Sequence, residues 1–278
     1  TDKSLALAAE NIEKLLDKLL PLLDGGRTRD EVLQSLPAEL RQGAEELLRL
    51  FAKEDFFETA AEPDKQLGQY RIVLISTGRL GEKAARNLRD AGAKQVEELN
   101  AADAAGETLE TLCDKLSQAD MAAVCTDLPC PDICELVNKA ALTVKLPWLL
   151  AQADGRDGWV GPLFIPYETG CYNCLLQRLL SCSFHPETDK AIHAAALRQP
   201  FTERLELLPP FTDLLAATAA LEIIRHLTAL SPPLTYKAQI LIDCISGISR
   251  RDVLHRLPRC PACSHIGEQV SCIQPFAG

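Results

Sequence analysis

The 278-residue chain is acidic, with 29 Lys+Arg against 39 Asp+Glu, and 47% of its residues are hydrophobic. That apolar share excludes a disordered polymer, and a formal net charge of −10 excludes the basic footprint that nucleic acid or an anionic membrane surface requires. The length allows one large or two modest domains. No secretory or membrane-spanning pattern is read, so a reducing, cytoplasmic location is expected.

Apolar residues at helical spacing (Leu5, Ile12, Leu15, Leu16, Leu19, Leu23), closed by Asp24-Gly25-Gly26, predict a helix over residues 5–23. Thr28 with Glu31 three positions on reads as a capping box, opening a short helix that carries Val32, Leu33 and Leu36 and ends at Pro37. A third helix is expected over residues 38–53, presenting Leu40, Leu47, Leu48 and Phe51. Three short helices with tight turns suggest a winged-helix-like domain over residues 1–62. DNA is a poor partner for it, because its first 60 residues hold 8 basic and 13 acidic side chains. Peptide binding and plain packing remain as its readings.

The second domain is expected over residues 63–278. After a polar connector, residues 70–75 (YRIVLI) form a continuous apolar run, as in a buried parallel strand. Ser76-Thr77-Gly78-Arg79-Leu80-Gly81 then opens a helix, the strand–turn–helix arrangement in which helix amides face phosphate. Ser76 stands where the first glycine of that fingerprint belongs, so close packing without nucleotide is the competing reading. Weak strand 95–99 and helix 107–117 precede a buried strand, 119–127, ending on Asp127. An acid at that end could ligate a magnesium nucleotide, together with Gly78 and Gly81, or could be an ordinary capping or loop acid. Helix 131–142 and strands 146–150 and 159–165 follow.

Residues 183–207 read as a polar, Pro-interrupted crossover or exposed loop, with His185 and His193 as solvated side chains or alternative metal ligands. An apolar helix over 211–230 should pack on the sheet, and residues 238–243 and 248–253 suggest a strand pair.

The strongest chemical signal is a pair of C-x-x-C knuckles, Cys171/Cys174 and Cys260/Cys263. Four soft thiolates suit a tetrahedral, structural Zn²⁺ with no position left for substrate. Disulfides or a redox dithiol are the alternatives; a reducing compartment disfavours the first, and the pair's place late in the fold disfavours the second. Cys182 and Cys272 flank the knuckles as substitute ligands, and most of the other cysteines read as small buried hydrophobes.

Three stretches, VLISTGRLGEKAARNLRDAG, VNKAALTVKLPWLLAQADG and GPLFIPYETGCYNCLLQRLLS, with the second knuckle, resemble the ThiF/ubiquitin-activating-enzyme superfamily. Within it the wording is similar to the activating-enzyme-like subunit of YcaO-dependent, azoline-forming cyclodehydratases. LLPLLDGGRTRDEVLQSL with EELLRLF resembles the helical half of that family's leader-peptide recognition element.

The resemblance implies an α/β, Rossmann-like activating-enzyme-type fold with structural zinc behind a small helical domain. It also implies a precursor (leader) peptide and a YcaO enzyme as partners, a homodimer, and room for a flavin dehydrogenase in the same complex. The leader would lie against Leu40, Leu47, Leu48 and Phe51. The products would be thiazole- and oxazole-modified microcins or bacteriocins. Adenylating members carry an Arg/Gln-rich segment after the second strand, whereas residues 98–103 are ELNAAD, so ATP and Mg²⁺ are not expected in this chain and no residue is assigned a catalytic role. The family's recognition element also opens with a three-stranded sheet, while this sequence opens on its first helix. Either those strands precede it or the leader site is truncated, and only in the second case is strand addition by the leader in doubt. An active adenylating enzyme acting on a peptide is the alternative, and a nicotinamide oxidoreductase is disfavoured by the zinc knuckles.

Overall fold

The computed structural model describes residues 12–24, 26–53, 67–198 and 208–264. The expected position Leu5, connector residues 63–66, residues 199–207 and Cys272 lie outside the described residues. By contacts the chain divides into two compact units, residues 1–61 and 62–278.

In the first unit, helix α1 (Ile12–Leu19) runs into a short 3-10 turn (Leu20–Leu22), and α2 (Arg29–Ser35) and α3 (Ala38–Lys53) follow. The start of α2 is fixed by the capping box. The Thr28 amide donates to Glu31 Oε2 at 2.7 Å, and the Glu31 amide donates back to Thr28 Oγ1 at 3.4 Å. Leu15, Leu19, Val32, Leu36, Ala44, Leu47 and Leu48 pack together as the core of this unit.

The second unit is built on a seven-stranded sheet of order β2-β1-β3-β4-β5-β6-β7. Its strands are β1 (Arg71–Thr77), β2 (Gln95–Asn100), β3 (Met121–Thr126), β4 (Trp148–Asp154), β5 (Asp157–Phe164), β6 (Ala238–Asp243) and β7 (Ser249–Val253). Strands β1 to β4 pair in parallel, whereas β4 to β7 pair antiparallel. Alternate residues of β1 feed opposite layers. Ile72 and Leu74 pack with α4 (Gly78–Asp90) and α10 (Pro209–Thr228), while Val73 and Ile75 pack with α5 (Ala101–Ala105), α6 (Leu109–Leu116) and α7 (Pro131–Val144). Each such side chain removed from water contributes about 1.5–3 kcal/mol, and burial on both faces explains why β1 and β3 read as unbroken apolar runs.

Two elements were not legible. The short helix α5 sits where the sequence offers only alanines and an aspartate. Of the stretch 183–207, expected to be a crossover or an exposed loop, residues Pro186–Arg198 form a 13-residue helix, α9. Pro186 is its first residue, a favoured helix start and not an interruption. Ala196 is the one fully buried side chain of α9, so no apolar stripe advertises the helix.

Candidate functional site

The loop after β5 turns over a hydroxyl. Thr169 Oγ1 accepts from the Ile165 amide at 2.8 Å, and the Thr169 amide returns to the Ile165 carbonyl at 3.0 Å. This loop delivers Cys171 to the N-cap of helix α8 (Tyr172–Cys182), and Asn138 Oδ1, reaching from α7, accepts from the Tyr172 amide at 3.0 Å. Cys174 follows one turn later.

The chain then returns from β7, so that Cys260 and Cys263 close the cluster. Sulfur separations are 3.9 Å (Cys171–Cys174), 3.6 Å (Cys171–Cys260) and 3.7 Å (Cys174–Cys263), and all four sulfurs lie within 4.8 Å of one another. Thiolates about 2.3 Å from a central zinc would stand about 3.8 Å apart. A disulfide would need about 2 Å. The four buried cysteines therefore form a centre that can hold a zinc ion.

The surroundings favour a thiolate at Cys174, while hydrogen bonds to Cys174 and burial push the Cys171 and Cys263 thiols up. Hydrogen bonds from the Cys171 and Cys263 thiols and from the Leu257 amide (3.4 Å) hold the Cys174 thiol well below its ordinary value. Arg256 braces the two knuckles by donating to the Tyr167 carbonyl at 2.6 Å and to the Cys263 carbonyl. Sequence reasoning missed Arg256, whose one signal is a basic residue shortly before the second knuckle. A cavity beside the centre, lined by Asn138, Trp148, Phe164 and Tyr167 among others, offers about 10 Å³. That is room for about one water.

The second constellation is the glycine turn. β1 and β3 lie side by side where the strand order reverses, the crevice in which open α/β sheets hold ligands. The N-cap of α4, Thr77, makes no side-chain cap. Asp127, 9% exposed, does so from the end of β3: its Oδ2 accepts from the Arg79 amide and its Oδ1 from the Leu80 amide, each at 2.8 Å. Gly78 has φ +70°, and a Cβ there would run into the Asp127 carboxylate. Gly81 lets α4 lie close on β1, since a Cβ there would meet the Ser76 side chain. The structure thus brings Gly78 and Asp127 together, while Gly81 serves helix–strand packing. At the end of β2, Asn100 Oδ1 accepts from the Ala102 amide at 2.9 Å and caps α5.

The remaining expected residues scatter. In the helical unit Leu47 and Leu48 are core, with Leu40 and Phe51 half-buried at its margin. His193 is not a solvated loop residue. It lies on α9 and pairs with Glu135 of α7 at 3.2 Å. Neither His193 nor His185 belongs to the cysteine cluster, and Cys182 is exposed at the end of α8, also outside it.

No protein-family model matches the chain. Among solved structures, the heterocyclase TruD superposes with a TM-score of 0.64 at 23% identity, covering 90% of this chain and 38% of that one. MccB of E. coli, solved with succinimide, superposes with a TM-score of 0.65 at 16% identity, covering 90% of each chain. The chain shares the fold of these two proteins. In agreement, the sulfur carrier protein ThiS adenylyltransferase of Escherichia coli (strain K12) is 27% identical over 156 residues, which is 56% of this chain and 54% of that protein. The chain thus spans about half of that relative and a smaller share of TruD. MccB has also been solved with ATP (TM-score 0.64, 15% identity). Among the described residues, no helix is long and apolar enough to cross a membrane.

Proposed function

We propose that the chain is the leader-peptide-binding, zinc-containing partner subunit of a cyclodehydratase that converts Cys, Ser or Thr of a ribosomal precursor peptide to azolines. It would deliver substrate to, and activate, a YcaO enzyme that carries the ATP chemistry. One observation carries the reading: in an activating-enzyme fold similar to a heterocyclase, the amides that would face nucleotide phosphate are satisfied by the chain's own Asp127. The helical unit is the leader-recognition element in this reading. Half-buried Leu40 and Phe51 offer the contact surface, and Leu47 and Leu48 hold its shape. Zinc on Cys171, Cys174, Cys260 and Cys263 ties residues 254–264 to the middle of the fold. The complex is cytoplasmic, the subunit homodimeric, and a flavin dehydrogenase is a further member of it.

The test is fluorescence anisotropy of labelled leader peptides encoded beside the gene, with the full chain. Saturable binding that Leu40→Ala weakens by about tenfold, roughly 1.4 kcal/mol, is expected. No binding to any leader would remove the reading.

The second reading is an active adenylating enzyme acting on a peptide, favoured by the similarity to the ThiS adenylyltransferase and to ATP-bound MccB. ATP–pyrophosphate exchange by the chain alone separates the two: it is absent in the first reading and present in the second.

A further inference from the structure

The activating-enzyme fold implies MgATP at the glycine turn, and the residues present do not accommodate it. Helix α4 begins with two amides, Arg79 N and Leu80 N, directed at the crevice between β1 and β3, where a phosphate would be bound. Both donate instead to one carboxylate, that of Asp127, at 2.8 Å. A carboxylate bridging two adjacent amides mimics two phosphate oxygens, and it brings a negative charge that would repel a triphosphate. Asp127 has little room to swing aside, because its side chain lies against the Cα of Gly78 and is nine-tenths buried.

A second position agrees independently. In dinucleotide-type folds an acidic residue about 20 positions beyond the glycine turn receives the ribose hydroxyls. Here the end of β2 carries Asn100, whose side-chain oxygen is engaged with the Ala102 amide at 2.9 Å. Both groups that would recognise a nucleotide therefore close the chain's own helix starts.

We infer that the Asp127 carboxylate is an internal occupant of the phosphate seat, a built-in plug that keeps this turn from taking nucleotide and that locks β3 to α4. This deepens the reading of the chain as a subunit without its own ATP chemistry, and rests on it.

The experiment is isothermal titration of the full chain, zinc-loaded, with MgATP and separately with inorganic pyrophosphate. The parent, Asp127→Ala and Asp127→Ser are compared, the serine being retained in case the alanine variant does not fold. The parent is expected to bind neither ligand. At least one variant should bind pyrophosphate with affinity at least about tenfold above the parent's detection limit, because the two amides are then free. MgATP binding by the parent, whether lost or kept in the variants, would overturn the inference and bring the adenylating reading forward. Folded variants that bind no pyrophosphate would overturn the plug while leaving the subunit reading intact, since leader binding is measured separately.

Discussion

The cysteine centre and the glycine turn are built alike and resolved in opposite ways. Each is a loop that ends a strand and opens a helix, and in each a side chain from elsewhere caps the first amides: Asn138 for α8, Asp127 for α4. At α8 the cap is neutral and lies off to one side, leaving four sulfurs to converge on a common centre. At α4 the cap is the anion itself, placed where a ligand's charge would go. A donor set of four sulfurs converging on one point suits a guest ion.

The sharpest break of that comparison is at the centre. Structural zinc supplies about 10–16 kcal/mol of apparent binding free energy in isolated zinc-finger peptides. Cys174→Ser should therefore abolish stoichiometric zinc by elemental analysis and lower the melting temperature by more than about 10 °C. Unchanged metal content and melting would show that the four sulfurs are merely packed, and the contrast with the glycine turn would collapse.

At the turn the effect should be smaller. Asp127→Asn keeps the shape but replaces a charge-assisted acceptor of two amides by a single neutral oxygen, leaving one buried donor facing an amide hydrogen. A loss of about 2 kcal/mol is expected for such a change, or roughly 4–8 °C in melting temperature for a unit of this size. If the variant melts with the parent, Asp127 does not lock β3 to α4, and its role as an internal cap is lost.

How much of this could be read beforehand differs between the two regions for a physical reason. Metal ligands are chemically singular, so two C-x-x-C pairs point to one cluster even 89 residues apart, and the four sulfurs do converge. The turn was equally visible as Ser76-Thr77-Gly78, but its state was not. Whether Asp127 ligates magnesium or caps a helix depends on which way one carboxylate faces across 47 residues of chain, and both outcomes use the same letters. The parallel strands were legible because they are apolar on both faces, and α2 because its capping box is a local code. Helix α9 was not, because a helix that buries little has no periodicity to show.

The smallest effect concerns the loop leading into the centre. His226 on α10 is partly buried, and burial pushes its imidazole below its ordinary value of 6.5, opposed by the nearby Glu168 carboxylate. Glu168 itself accepts from the Tyr236 hydroxyl at 2.9 Å. For a group whose pKa is lower in the folded than in the unfolded chain, the unfolded state takes up the proton first as pH falls. The stability is then complete above about pH 6.5 and declines below it, until the folded-state value is passed. Acid also protonates the cysteine thiolates, so the parent's profile alone would not isolate the histidine. His226→Gln does: between about pH 7.5 and pH 5.5 the variant should lose less stability than the parent by chemical denaturation, with zinc content equal in both. Equal losses would mean that the loop before Cys171 does not feel this histidine, and that the centre's pH dependence belongs to its sulfurs alone.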